Sequence, residues 1–166
     1  MIQPYQPKDK FACIRIFDSN CPKYFAPGEL DLFIEWLENQ GGSGLTTYQS
    51  PTYRNASHDA YYVLNHPEHG IIGCGGFYIK DKPAEARLAW GMVHADHQGK
   101  GHGSELYRYR LAAIRSRWPQ HHVTLGTSQH TYPFYEKMGM KVITSFRNGY
   151  GPGIDRYDMV LPLGHP

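Results

Sequence analysis

The run Gln98-Gly99-Lys100-Gly101-His102-Gly103-Ser104 holds the densest chemistry in this chain of 166 residues. Glycines at 99, 101 and 103 let a backbone approach an anion without Cβ clashes and adopt positive φ. A helical pattern follows at once, with Tyr107, Leu111, Ile114 and Trp118 at i, i+4, i+7 and i+11 and Pro119 as its stop. This spacing predicts a helix over Ser104 to Trp118. The start of such a helix offers unpaired N–H groups and partial positive charge, which favour phosphate. The run therefore reads as a phosphate cradle, with Lys100 and His102 as added donors. The plainer reading is a turn whose glycines only admit the chain to a helix. A Walker loop is excluded because no glycine stands five positions before Gly99, and a dinucleotide fingerprint because Ser104 stands where its third glycine must fall, three positions after Gly101.

Other clusters promise less. His94, His97 and His102 surround Asp96, but no pair shares a helix face at i, i+4, so no metal is expected. Cys13, Cys21 and Cys74 have the wrong parity for a disulfide framework and the wrong spacing for a zinc knuckle. Arg108, Arg110, Arg115 and Arg117 flank an apolar stripe at helical spacing, which reads as a solvated helix face. With a formal net charge of only +2, no nucleic-acid partner is expected. No charged segment followed by an apolar run opens the chain, and no stretch is long and apolar enough to span a bilayer. A reduced, cytoplasmic protein without a membrane partner is the expectation.

Around the glycine run, period and turn signals set out the other elements. Strands are expected at Ile2–Pro7, Ala60–Asn65, Ile71–Ile79, Arg87–Val93, His122–Thr127, Lys141–Phe146 and Arg156–Leu161. The last two are joined through Asn148-Gly149-Tyr150-Gly151-Pro152-Gly153. Short helices are expected at Lys8–Phe17 and Pro133–Met138. A further helix, opened by Pro27, carries Leu30, Phe33, Ile34 and Leu37 on one face and ends over residues 40–44. Leu45 to His58 shows no period. Strand Arg87–Val93, the glycine loop, its helix and strand His122–Thr127 form a β-α-β unit with parallel strands. The whole chain reads as one mixed α/β domain over residues 1–166.

The spacing Gln98-x-x-Gly101-x-Gly103, preceded by Trp90-Gly91-Met92-Val93-His94-Ala95-Asp96-His97, resembles the fourth strand and pyrophosphate loop of the GNAT superfamily of N-acetyltransferases. A second run, Thr127-Ser128-Gln129-His130-Thr131-Tyr132-Pro133-Phe134-Tyr135-Glu136-Lys137-Met138-Gly139-Met140, is similar to the end of that family's fifth strand and its short helix. Met140 replaces the usual final Phe. The two motifs stand in the family's order and spacing, while the first sixty residues match in outline only.

The resemblance implies a mostly antiparallel twisted sheet, splayed between strands 4 and 5 and flanked by about four helices. It implies acetyl-coenzyme A as co-substrate, with no metal, and a small-molecule or peptide amine as acceptor. A non-catalytic acyl-coenzyme A-binding module on the same fold is the alternative, and a homodimer is left open. Backbone groups of Met92 and Val93 would hold the pantetheine arm, with the Val93 N–H toward the thioester oxygen. Amides from Gly99 to Ser104, beside Gln98, would hold the pyrophosphate. Ser128 stands where the family often has Asn. Tyr135 matches the general acid that protonates the departing thiolate, and a phenol's intrinsic pKa of about 10 keeps it protonated at neutral pH. The family's carboxylate positions hold Arg87 and Val123, so the base falls to Glu85, to His94 or to an ordered water. Asp18, Tyr24, Tyr150, Asp155 and Arg156 are the implied acceptor contacts.

Overall fold

In the computed structural model, residues 1–40 and 48–163 are described. The expected helix end over residues 40–44 and the start of the aperiodic stretch lie largely outside them. Seven strands form: β1 (Ile2–Pro4), β2 (Ala56–His66), β3 (Gly70–Asp81), β4 (Ala84–Val93), β5 (His122–Thr127), β6 (Lys141–Gly151) and β7 (Ile154–Leu161). Among the described residues four α-helices accompany them: α1 (Lys10–Ser19), α2 (Leu30–Asn39), α3 (His102–Arg117) and α4 (Tyr132–Lys137). The strands make one sheet in the order β1-β2-β3-β4-β5-β7-β6, antiparallel except where β4 meets β5. This is the expected mixed α/β architecture.

Period-2 alternation gives each face of the sheet its own core. Tyr78 of β3 joins Phe17, Phe33, Trp36 and Tyr61 under α1 and α2. Its neighbours Phe77 and Ile79 join Tyr107, Ile114, Tyr135 and Met159 under α3 and α4. Being covered on both sides, β3 is buried from Ile72 through Ile79 and reads as a continuous apolar run.

Three differences from the sequence reading have local causes. Helix α3 begins at His102, because Gly101, at φ 87°, already turns the chain into it. The final hairpin is longer than expected. The Asn148 side chain accepts from the Gly153 N–H (2.8 Å), and Asp155 accepts from the Asn148 N–H (2.9 Å). These bonds turn an apparent loop into a bulge within the β6–β7 ladder. Arg110 corrects the solvated-face reading of the arginines: it is 2 % exposed, whereas Arg108 and Arg117 are exposed.

Candidate active site

Strands β4 and β5 pair over three positions only, Glu85, Ala86 and Arg87 opposite His122, Val123 and Thr124. Beyond them β5 stays with β7, and among the described residues Leu88–Val93 has no strand on that side. The gap opens a cavity of about 650 Å³, walled by Leu88 to Val93 and by Leu125 to Ser128. A register shift in the β3–β4 ladder bends β4 where the gap widens. Met92 opposes Cys74 but Ala89 opposes Gly76, so Trp90, at φ 50°, and Gly91 share the space opposite Gly75.

Arg110 fills the hollow beneath this bulge. Its Nη1 donates to the Gly76 carbonyl and its Nε to the Leu106 carbonyl, both at 3.3 Å. A Cβ at Gly91 would stand 2.8 Å from both Nη atoms, so glycine there makes room for the guanidinium. Among the described residues Arg110 has no carboxylate in ion-pair range. A buried cation facing only neutral carbonyls leaves positive potential in the cavity it lines.

At the end of β4 the His94 N–H bonds to the Ile72 carbonyl (2.8 Å), so ladder alternation turns Val93's backbone groups toward the gap. The Val93 carbonyl accepts from Asn20 Nδ2 and Gln98 Nε2, each at 3.0 Å. Gln98 also donates to Asn20 Oδ1 at 2.9 Å. Two side-chain donors thus occupy that carbonyl, and the expectation that it holds the pantetheine arm is corrected; the N–H is the group left to the gap. Gln98 ties the end of α1 to the end of β4 through its side chain.

Gly99 (φ 74°) and Gly101 (φ 87°) hold left-handed conformations that disfavour any side chain. No protein atom lies within 4 Å of a Cβ built at either, so the space above them is open. The first N–H groups of α3 emerge here, and Gln98, Gly99, Gly101, Gly103 and Ser104 all line the cavity. Lys100 and His102 do not: the Lys100 ammonium donates to the Asp96 carbonyl (3.2 Å), and His102 lies 3.9 Å from Glu105. Across the gap Ser128, 4 % exposed, and Tyr135, 8 % exposed, also line it. The Tyr135 ring is held against Tyr107 and Phe134, with centroids at 5.9 and 5.0 Å.

The far half of the cavity is built from side chains of scattered segments. Tyr24 and Phe25 enter from the loop after α1, Glu29 from the turn before α2, Arg87 and Trp90 from β4, Tyr150 from β6 and Arg156 from β7. Glu29 Oε2 accepts from the Ala26 N–H at 2.8 Å. Burial pushes its carboxyl up to about 7, only partly opposed by that hydrogen bond. Burial likewise pushes the Tyr150 phenol well up, with Arg87 working against the shift and Glu29 adding to it. Arg87 lies 3.5 Å from Asp158 and 3.7 Å from Glu85, and Arg156 lies 3.0 Å from Asp158.

Of the acceptor contacts implied by resemblance, Tyr24, Tyr150 and Arg156 line the cavity; Asp18 and Asp155 do not. Asp18 is exposed, and Asp155 accepts from Asn148 inside its hairpin. Neither base candidate reaches the cavity wall. Glu85 sits at the paired end of β4, bonded by the Thr124 hydroxyl and facing Arg87. His94 Nδ1 accepts from the Asp96 N–H (3.2 Å). Glu29, Arg110 and the ring of Trp90 were not picked out from sequence. The Ala26–Pro27–Gly28–Glu29 run was a readable signal for Glu29, since an acid at the third position of a helix start folds back onto the chain before it. Among the described residues no group of three His, Cys, Asp or Glu is placed to hold a metal ion.

The acetyltransferase (GNAT) family profile matches residues 15–140, and the chain belongs to that family. Solved structures share its fold. One is a GNAT-family protein from Desulfovibrio desulfuricans, with TM-score 0.77, 17 % identity and 99 % of each chain covered. Another is the ribosomal-protein-S18-alanine N-acetyltransferase from Escherichia coli (0.68, 19 %, 98 % of this chain and 93 % of that one). A third is an aminoglycoside 6'-N-acetyltransferase complexed with coenzyme A (0.62, 15 %, 96 % and 95 %). No curated protein matches the sequence.

Proposed function

We propose that the chain moves the acetyl group of acetyl-coenzyme A to a primary amine by direct attack, without an acyl-enzyme. The observation that carries this reading is one continuous cavity lined by the open backbone of Gly99 and Gly101, by Val93 and Tyr135, and by Glu29 among aromatic side chains. The amides at the start of α3 suit a pyrophosphate, and the cavity wall there carries no carboxylate to oppose it. A fold relative solved in complex with coenzyme A supports coenzyme A as the ligand. In this reading the amine lone pair attacks the thioester carbon, and the Val93 N–H faces the oxygen that gains charge. A main-chain donor so placed contributes about 3 kcal/mol in comparable sites. As the C–S bond breaks, Tyr135 gives its proton to the thiolate.

Calorimetry tests the cofactor assignment directly. Acetyl-coenzyme A should bind at least tenfold more tightly than acetyl-pantetheine, which lacks the pyrophosphate. Equal affinities would move the binding site away from the glycine loop.

A further inference from the structure

The far chamber, read on the basis of acetyl transfer, has a composition that narrows the acceptor. Six rings line the cavity on that side, from Tyr24, Phe25, Tyr53, Tyr78, Trp90 and Tyr150. Among the described lining residues Glu29 is the one carboxylate, against three arginines, Arg87, Arg110 and Arg156. Asp158 already pairs with Arg87 and Arg156, so the second charge of a polycation would find no acid beyond Glu29 on the wall and would face Arg110, which has no carboxylate partner among the described residues. We propose that the chamber takes an acceptor with a single primary ammonium on an aromatic or flat apolar body, and that Glu29 receives this ammonium and removes its proton.

The local geometry supports that role. The Ala26 N–H holds Glu29 Oε2, which fixes the carboxylate and leaves Oε1 for a ligand. Aromatic faces also attract a cation and then pack on the body that carries it. Cys21 of the preceding loop and Tyr150 of β6 feel the Glu29 charge, Tyr24, Arg87 and Arg156 line the same cavity, and Asp158 of β7 pairs with both of those arginines. A carboxyl that titrates at about 7 is substantially ionised at neutral pH yet basic enough to accept a proton. One ammonium proton passes to Glu29, and the neutral amine forms the C–N bond. Tyr135 protonates the departing thiolate, the second proton on the new amide nitrogen restores the phenol, and the Glu29 proton leaves to water.

The test is thiol release from acetyl-coenzyme A with phenethylamine, spermidine and kanamycin as probes. It is run on the wild-type chain, on Glu29→Gln, which keeps an oxygen for Ala26, and on Glu29→Asp, which keeps the carboxylate. Phenethylamine should show kcat/KM at least about tenfold above either polycation. Glu29→Gln should lower kcat by roughly 10²-fold and abolish the rise in rate through pH 7, with acetyl-coenzyme A affinity unchanged; Glu29→Asp should restore part of that rise. Spermidine or kanamycin matching phenethylamine, no turnover of phenethylamine, or a pH profile unaltered in Glu29→Gln would each overturn the proposal. Failure of the wild type to bind acetyl-coenzyme A in calorimetry would instead sink the acetyl-transfer reading beneath it.

Discussion

The two halves of the cavity are made of different material. On the α3 side the wall is mostly main chain: amides at a helix start, two glycines at positive φ and the edge of a bulged strand. On the α2 side it is side chains, brought by segments as far apart as Tyr24 and Arg156. The backbone half presents one geometry that few sequences can supply, whereas the side-chain half can be rebuilt residue by residue without disturbing the sheet. On the proposed reading the backbone half holds the donor and the side-chain half selects the acceptor.

Point changes should therefore act differently on the two sides. The largest effect is expected where the halves meet. Tyr135→Phe keeps the ring against Tyr107 and Phe134 and removes only the hydroxyl. It should lower kcat by roughly 10²-fold with little change in acetyl-coenzyme A affinity. Full kcat in a folded variant would remove Tyr135 from the chemistry. Next comes Gly101→Val. The Cβ meets no protein atom, so the cost lies in forcing a β-branched residue to φ 87°. Non-glycine residues there cost about 1–3 kcal/mol, enough to re-route the loop and weaken cofactor binding about tenfold or more.

A smaller effect concerns stability in the side-chain half. The Glu29 carboxyl is raised in the folded state from 4.5 to about 7. Its favourable contribution is thus full below pH 4.5 and is lost as pH rises through 7, where the folded chain must hold a partly buried charge. Glu29→Gln escapes that loss. Relative to wild type it should gain about 1 kcal/mol at pH 8, after discounting for solvent screening, and almost nothing at pH 4.5. Urea denaturation at both pH values measures it, and a gain equal at the two would contradict the assigned shift. The smallest effect is predicted for Lys100→Ala. Its ammonium is turned to the Asp96 carbonyl and lies off the cavity wall, so cofactor affinity should change less than about threefold.

The same division explains what the sequence could reveal. Gln98, Gly101 and Gly103 are local in the chain, and their spacing announces both the helix start and the loop. Phe134-Tyr135-Glu136-Lys137 is local too, and the tyrosine it singles out stands on the cavity wall. Glu29 becomes part of a site only when β4 splays from β5, a long-range event that no local period encodes. Arg110 misleads in the opposite direction: its spacing on α3 matches a solvated face, but Gly75 and Gly91 on two other strands clear a buried space for it. Asn148 and Gly149 read as loop residues because their turn chemistry is strong, yet here they make a bulge inside a strand.

Calorimetric titration of acetyl-coenzyme A into folded Gly101→Val and Glu29→Gln, side by side with wild type, tests the division most directly. Affinity should be about tenfold weaker or worse in Gly101→Val and within twofold of wild type in Glu29→Gln. Equal losses in the two variants, or wild-type affinity in Gly101→Val, would contradict that division.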